Sequence, residues 1–323
     1  MAADLRQLVT LERIRAAAER LQGVAVRTPL LRWDETTWLK PENLQPVGAF
    51  KIRGAHAKLT SLTDEERSGG VITYSSGNHA RAVARSARLL GLSAVIVMPD
   101  NAPSVKVAGV EREGARIVRS GPGSDERREI AERLASEHGY ALIPPFDDAE
   151  IIAGQGTVGL EIGEDLPEVT SVIVPVGGGG LISGVAAAVK ALAPSARVVG
   201  VEPEAAADAR ESLAAGEIVS WPAERTVRTI ADGLRVSAVG RLPFAHLQAF
   251  VDEMVTVSDV EIREAMVLLA TRARLIAEPS GAAAMAAHLS GRIGAPPSDR
   301  ARVVVISGGN VEPSVLAALL AAS

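Results

Sequence analysis

Short apolar runs alternate with helix-like segments through two long stretches of the chain, and this alternation strongly constrains the fold. In the first stretch, the runs at 71–74, 94–98, 115–118 and 141–143 are separated by segments with helical spacing that end near residues 90, 113 and 137. In the second stretch, runs at 171–176, 198–201 and 303–306 follow the same pattern. Alternation of this kind predicts an α/β fold in which parallel sheets are covered by helices on both faces.

Composition excludes several classes of function. The chain has 323 residues, 47% of them apolar and 23% charged, which suits a protein with one or two folded domains. The net charge of -5 and the lack of a basic run argue against nucleic acid as a partner. Apolar stretches are too short to span a membrane. The absence of cysteine, and the charges of Asp4 and Arg6 near the start, favour a cytoplasmic protein without a secretory signal.

Lys51 is the first candidate for chemistry. It follows Gly48, Ala49 and Phe50, so its amine would emerge from a turn with little side-chain bulk beside an aromatic ring. Desolvation lowers the pKa of a lysine and frees its amine as a nucleophile, which makes Lys51 a candidate for Schiff-base formation. The alternative is an ordinary surface lysine after a turn.

Gly177–Gly180 form a glycine loop between a strand and a helix that begins near Leu181. Without Cβ atoms the backbone N–H groups can converge, and the helix N-terminus adds positive potential, so the loop suits a phosphate group. The stretch has neither the lysine of a P-loop nor a G-x-G-x-x-G pattern. Glu202, after the next strand, could still mimic the acid of a dinucleotide site.

Two further polar loops follow predicted strands. The Ser75–His79 loop precedes a helix, where hydroxyl, amide and backbone donors suit a carboxylate, although a simple N-cap explains the same residues. Ser307 ends the last strand, at the edge where open α/β sheets bind ligands, and its hydroxyl could pair with a ring nitrogen. An ordinary turn explains the adjacent Gly308–Gly309 equally well.

Glu202, Glu204 and Asp208 form an acidic cluster at a predicted helix start. Carboxylates at this spacing could hold Mg²⁺ or Ca²⁺ together with water. Acids at a helix start also interact favourably with the helix dipole, and that interpretation needs no metal.

Five blocks occur in one order along the chain, at 48–55, 75–79, 153–157, 176–181 and 307–310. With them, the chain resembles the fold-type II pyridoxal-phosphate enzymes, and within these the serine/threonine dehydratase and serine racemase family. The resemblance runs from about Arg27 to Asn310. It implies a two-domain fold of the tryptophan synthase β-like type, pyridoxal 5′-phosphate as cofactor, and a homodimer.

The resemblance also implies residue roles. Lys51 would form the Schiff base and move the Cα proton, and Ser76 would face it across the cofactor plane. Asn78 would contact the 3-hydroxyl of the cofactor and Ser307 its ring nitrogen. Further cofactor contacts are implied for Phe50, Gly177, Gly178, Gly179, Gly180, Leu181 and Glu278; substrate contacts for Ser75, Ser76, Asn78 and His79; and a divalent-cation site (Mg²⁺, or Ca²⁺ or Mn²⁺) for Glu202, the carbonyl of Ala206, and Asp208.

The implied reaction is β-elimination from L-threonine, L-serine or both, as in a threonine/serine ammonia-lyase. A serine at the ring nitrogen favours rapid loss of a β-hydroxyl over transamination. Serine racemisation, which would use Ser76 as a second acid/base, and dehydration of 3-hydroxyaspartate remain open alternatives. Phe146-Asp147-Asp148 follows the dehydratase pattern. A non-catalytic relative that binds the cofactor and a β-replacement enzyme are further interpretations.

The predicted small domain is an insertion at 62–148 that carries the Ser75–His79 loop, and residues 1–61 and 149–323 form the large cofactor-binding domain. Arg81 departs from the family pattern, because small or amide residues usually follow the histidine. We expect its side chain to point to solvent, with contact to a second substrate carboxylate as the alternative.

Overall fold

A computed structural model of the protein describes residues 8–75, 77–100, 102, 104–121, 124–294 and 301–321. Within these residues ten strands form two sheets. The strands are β1 (Leu31–Arg32), β2 (Thr37–Pro41), β3 (Val71–Tyr74), β4 (Ala94–Pro99), β5 (Arg116–Ser120), β6 (Ala141–Leu142), β7 (Val169–Pro175), β8 (Arg197–Pro203), β9 (Glu253–Val257) and β10 (Ala301–Ile306).

The α-helices of the same described part surround both sheets. They are α1 (Leu11–Arg20), α2 (Lys51–Ser61), α3 (Asp64–Arg67), α4 (Asn78–Leu89), α5 (Ser104–Glu111), α6 (Ser124–His138), α7 (Ala149–Asp165), α8 (Gly180–Leu192), α9 (Asp208–Ala215), α10 (Ala223–Thr226), α11 (Arg241–Phe250), α12 (Asp259–Leu268), α13 (Pro279–Leu289) and α14 (Pro313–Ala321). No helix in the described ranges is long and apolar enough to cross a membrane.

The smaller sheet confirms the first predicted alternation. Its order is β5-β4-β3-β6, and every neighbouring pair is parallel. All four strands lie within two residues of the predicted bounds. The central strands β3 and β4 are short and almost fully buried, as expected for a parallel sheet with helices on both faces.

The larger sheet has the order β1-β2-β10-β7-β8-β9. The β1–β2 pair is antiparallel and the other pairs are parallel. Because Val304 of β10 is paired with Ile173 of β7, the two strands end side by side. The glycine loop after β7 and Ser307 after β10 therefore lie at the same edge of the sheet.

A buried ion-pair network holds the start of α2. The Arg53 guanidinium lies 2.7 Å from Glu42 and 2.6 Å from Glu161, and Lys40 lies 2.6 Å from Glu161. All four side chains are buried. The network ties β2, α2 and α7 together two residues beyond Lys51. Removing one partner would leave an uncompensated buried charge, at a cost of about 3–5 kcal/mol.

The structure relates the predicted domains to the two sheets. The smaller sheet lies within 62–148 and the larger sheet outside it, but the division into domains stays a prediction. Helix α2, from the predicted large domain, shares a buried apolar cluster with the smaller sheet, in which Ile52 and Leu59 pack with Val71 and Ile96. The lysine at the start of α2 is therefore held by both halves of the molecule.

Candidate active site

A cavity of about 550 Å³ lies at the carboxyl ends of strands from both sheets. Tyr74 lines it from the smaller sheet and Pro175 from the larger. Openings at the carboxyl ends of parallel strands are where α/β folds bind small molecules. The predicted site residues that line the cavity are Phe50, Lys51, Ser75, Asn78, His79, Gly177, Gly178, Gly180, Leu181, Glu278 and Ser307.

Lys51 is the first residue of α2 and its side chain is partly buried in the cavity wall. Its Nζ donates a hydrogen bond of 2.7 Å to the carbonyl oxygen of Pro145 and lies 5.2 Å from the centre of the Phe50 ring. Burial lowers the pKa of the amine from 10.5 to about 8. Near neutral pH a useful fraction of the amine is therefore uncharged and nucleophilic.

The glycine loop presents free backbone donors at the N-terminus of α8. In the described part of the chain, the N–H groups of Gly177, Gly178, Gly180 and Leu181 have no acceptor. Gly179 does not line the cavity; its φ of +88° favours glycine, and a Cβ there would lie 2.7 Å from Pro243. Converging free N–H groups at a helix N-terminus fit a phosphate group.

Ser307 follows β10 beside the lysine turn. Its carbonyl accepts a 3.1 Å hydrogen bond from the Phe50 N–H, and Gly309 N–H donates to Gly48 at 2.8 Å. Ser307 lines the cavity, and its hydroxyl forms no hydrogen bond with another described residue. It is therefore available to a heterocyclic nitrogen of a bound group.

The predicted carboxylate loop is described only in part. Ser76 lies outside the described residues. Ser75 lines the cavity, and its hydroxyl accepts a 3.2 Å hydrogen bond from the Gly77 N–H. The ring of His79 is buried and its Nε2 lies 3.2 Å from the carbonyl oxygen of Ile143. Burial and the charge of Lys51 lower the pKa of His79 to about 3, so this ring supplies no positive charge.

Asn78 and Glu278 meet over the cavity wall. Asn78 Nδ2 donates a 2.5 Å hydrogen bond to Glu278 Oε1. Glu278 is almost fully buried, and burial together with the negative charge of Asp232 raises its pKa to about 8. Glu278 is therefore largely protonated at neutral pH and adds little negative charge to the site.

Three contacts at the site were not predicted from the sequence. Phe146 covers the glycine loop, since a Cβ on Gly178 would collide with its ring. Asn310 bonds to Asn78 through their side chains at 2.8 Å. Arg81 does not point to solvent as expected: it is partly buried and its Nη1 lies 3.3 Å from Asn310 Oδ1. Asn310 was recognisable in the sequence only as the last residue of the Ser-Gly-Gly-Asn block. The other two contacts join residues that are far apart in the chain.

The predicted metal ligands lie apart from the cavity lining, between the end of β8 and the start of α9. Glu202 and Asp208 are both buried, whereas Glu204 is exposed. Glu202 accepts hydrogen bonds from the N–H groups of Ala209 and Arg210, but both Asp208 oxygens are buried without a partner in the described chain. Burial raises the pKa of Asp208 to about 7. Among the described residues, no group of three or more acidic, histidine or cysteine side chains forms a metal site.

The sequence profile of a family described as pyridoxal-phosphate dependent enzyme matches residues 21–309. The chain is 41% identical over 318 residues to the L-threo-3-hydroxyaspartate ammonia-lyase of Saccharomyces cerevisiae, and 94% of each chain is covered. It is 42% identical over 313 residues to the L-threonine dehydratase catabolic TdcB of Escherichia coli K12, with 95% of this chain and 94% of that protein covered.

A solved structure shows the same fold. The structure of maize serine racemase superposes on this chain with a TM-score of 0.90 and 39% sequence identity, and 97% of each chain is covered. The family match includes every cavity-lining residue described above, from Phe50 to Ser307.

Proposed function

The chain belongs to the pyridoxal-phosphate dependent enzymes, and from this membership we propose that it is a lyase that dehydrates and deaminates L-threonine, L-serine or both. Loss of water and hydrolysis of the carbon–nitrogen bond would give a 2-oxo acid and ammonia. The observation that carries the proposal is a lysine amine with a pKa of about 8 that shares one cavity with a glycine loop and Ser307.

The cavity lining fits pyridoxal 5′-phosphate. The free N–H groups of Gly177, Gly178, Gly180 and Leu181 would hold its phosphate, and the Ser307 hydroxyl would meet its ring nitrogen. Phe50 and Asn78 would contact the ring. When bound, the cofactor withdraws electrons from the substrate Cα and so weakens the Cα–H bond.

Lys51 would remove the Cα proton. Its pKa of about 8 is close to physiological pH, which is the range in which a general base works best. The hydrogen bond to the Pro145 carbonyl orients Nζ in the cavity wall. Ser75, the Asn78 amide and the backbone N–H groups at the start of α4 would bind the substrate carboxylate, with the neutral His79 ring packed behind them.

Serine racemisation is a second activity of the same machinery. It would require Ser76 as an acid/base opposite Lys51, and Ser76 lies outside the described residues. The similarity to maize serine racemase supports keeping this activity in the test.

Dehydration of 3-hydroxyaspartate is the other candidate, and a specific observation favours it. Arg127, Arg128, Arg235 and Arg241 all line the cavity. Guanidinium groups pair well with carboxylates, so an arginine in the cavity lining would suit the second carboxylate of a dicarboxylic substrate. The similarity to the yeast 3-hydroxyaspartate ammonia-lyase agrees with this assignment.

A divalent cation, Mg²⁺ or else Ca²⁺ or Mn²⁺, would bind Glu202, the Ala206 carbonyl and Asp208. The unpartnered Asp208 oxygens support this part of the proposal, because buried carboxylates normally have partners. The pairing of two carboxylates with a carbonyl and water suits a hard cation. We further propose that the protein is a cytoplasmic homodimer.

The test is an incubation of the cofactor-loaded protein with L-threonine, L-serine, D-serine and both 3-hydroxyaspartate diastereomers, with Mg²⁺ and with a chelator. We expect 2-oxobutyrate from threonine and pyruvate from serine, and a decrease of at least about 10³-fold in Lys51→Ala, since removing a covalent and general-base group typically costs that much.

Each outcome separates the candidates. Faster turnover of 3-hydroxyaspartate would make that compound the preferred substrate, and D-serine formed as fast as pyruvate would make the protein a racemase. If no substrate reacts and no absorbance of lysine-bound cofactor is present, the proposed function is wrong.

A further inference from the structure

We infer that Asn310 is a positioning residue that fixes the side-chain amide of Asn78 so that its NH₂ group faces the cavity. The inference rests on the proposed function, because it concerns a group that would contact the cofactor. It assigns a role to the last residue of the 307–310 block and to Arg81, the residue that departs from the family pattern.

A chain of side-chain hydrogen bonds carries the inference. Asn310 Nδ2 donates to the Val47 carbonyl oxygen and to Asn78 Oδ1, both at 2.8 Å. Arg81 Nη1 donates to Asn310 Oδ1 at 3.3 Å. At the other end of the chain, Asn78 Nδ2 donates to Glu278 Oε1 at 2.5 Å.

The hydrogen-bond partners of Asn310 permit only one orientation of its side-chain amide. A backbone carbonyl such as that of Val47 only accepts hydrogen bonds, and the guanidinium of Arg81 only donates them. Asn310 must therefore turn Nδ2 to Val47 and Oδ1 to Arg81. Since Nδ2 also faces Asn78, Asn78 must present its oxygen there and its NH₂ group on the opposite side.

The backbone leaves Asn310 little freedom to move. A Cβ on Gly48 would lie 2.5 Å from Asn310 Oδ1, and the φ of Gly48 is +74°, so the turn before Lys51 closes over this side chain. The hydrogen bond from Gly309 N–H to the Gly48 carbonyl, 2.8 Å long, fastens the two segments together. The amide is thus held by packing as well as by polar contacts.

The orientation matters for a ligand in the cavity. The Asn78 NH₂ group would donate to an anionic ring oxygen of a bound cofactor, whereas a reversed amide would present its own oxygen and repel it. Asn310 would therefore strengthen cofactor binding and favour the ionised ring oxygen without touching the cofactor itself.

The experiment is a double-mutant cycle on the cofactor-loaded protein, with the variants Asn310→Ala, Asn78→Ala and both together. The dissociation constant of the cofactor and the pH titration of the lysine-bound cofactor absorbance are measured for each. We expect Asn310→Ala to weaken binding about five- to tenfold, which corresponds to one hydrogen bond, and to shift the titration to higher pH. In the Asn78→Ala background it should change neither quantity further.

Asn43→Ala is the matched control. Its amide donates a 3.0 Å hydrogen bond to the Ile276 carbonyl outside the cavity lining, so it should leave the titration unshifted. Arg81→Met is a second variant, which should shift the titration in the same direction by a smaller amount because its hydrogen bond is longer.

The inference is overturned if the losses from Asn310→Ala and Asn78→Ala add, or if Asn310→Ala lowers thermal stability with an unshifted titration. If Asn310→Ala does not fold, an unshifted titration in Arg81→Met overturns it. A wild-type protein without lysine-bound cofactor would instead refute the proposed function, and the two failures are therefore distinguishable.

Discussion

Burial determines the charge of the titratable residues around the cavity. The pKa of Lys51 falls to about 8 and that of His79 to about 3, while that of Glu278 rises to about 8. In each case the low polarity of the surroundings favours the neutral form. These three residues therefore carry little charge at neutral pH, so an anionic ligand meets the free N–H groups of the glycine loop and the arginines that line the cavity.

The variant Glu278→Gln tests whether burial keeps the Glu278 side chain neutral. The pKa of Glu278 rises from 4.5 unfolded to about 8 folded, so between these values the folded state holds more protons than the unfolded state. Its contribution to stability is present below pH 4.5 and is lost as the pH rises to about 8. We expect the variant to lack this decline and to gain about 1–3 kcal/mol over wild type between pH 5 and pH 8.

The measurement is urea unfolding of the cofactor-free protein at several pH values. Glu264→Gln, on the exposed side of α12, is the control and should leave the pH dependence of the wild type unchanged. If the free energy of unfolding changes with pH in the same way in wild type and in Glu278→Gln, Glu278 is ionised in the folded protein.

At the scale of elements, the site depends on the close fit between the glycine loop before α8 and the segment before α7. The Phe146 ring lies against Gly178, and the Phe146 backbone lies about 3.2 Å from where a Cβ of Gly180 would be. Side chains at either glycine would push the two segments apart. The free N–H groups of the loop therefore keep their arrangement only while both positions lack a side chain.

Gly178→Ala should weaken cofactor binding by about tenfold or more, because overpacking a rigid contact typically costs about 1–3 kcal/mol. The measurement is the dissociation constant of the cofactor by absorbance. Phe146→Ala in the same chain removes the ring and should restore part of the affinity.

Gly109→Ala is the control for the substitution itself. This helical glycine has 3.5 Å of space to the Arg81 side chain, so an added Cβ makes an ordinary contact. A double variant, Gly178→Ala with Phe146→Ala, that binds no better than Gly178→Ala alone would contradict the proposed contact.

At the scale of the whole molecule, an ion pair in the cavity lining links a helix beside the smaller sheet to a segment beside the larger sheet. Lys106 of α5, beside the smaller sheet, pairs with Asp232, which precedes α11 on the side of the larger sheet. Both residues line the cavity. Lys106→Gln should speed the release of bound cofactor about three- to tenfold, while the free energy of unfolding changes by less than about 1 kcal/mol, as is usual for partly exposed ion pairs.

Lys190→Gln provides a matched control. The Lys190–Asp252 pair has side chains exposed by 19% and 35%, against 18% and 39% for Lys106–Asp232, and it lies away from the cavity lining. Release is measured by dilution into a trap for free cofactor. Equal release rates in the two variants would show that the Lys106–Asp232 pair does not hold the ligand.

The parallel strands of the two sheets were predictable where short apolar runs alternate regularly with segments of helical spacing. Helix α7 was not predicted, because residues 151–163 are buried on every side and so show no amphipathic period. Its glycines serve close packing: a Cβ on Gly156 would lie 2.7 Å from Ile14 and one on Gly159 would lie 2.6 Å from Val185. Strand β9, at the edge of the larger sheet, is short and partly exposed and was missed for that reason.

The site residues that lie within a short sequence motif were predictable. Lys51 and Ser307 lie beside glycine-rich turns that are visible in the sequence. The contact of Phe146 with Gly178 and that of Arg81 with Asn310 join residues 32 and 229 positions apart, and no local pattern records such pairs.

The buried network of Arg53, Glu42, Glu161 and Lys40 constrains how this chain can diverge. Replacing any one of these four residues alone leaves an unpaired charge in the interior. A tolerated substitution must therefore be accompanied by a change in its partner. The start of α2 should therefore be conserved as a set of linked residues, whereas the arginines that line the cavity are not part of this network. Libraries that seek new substrates will therefore keep more folded members if the four network positions are left intact.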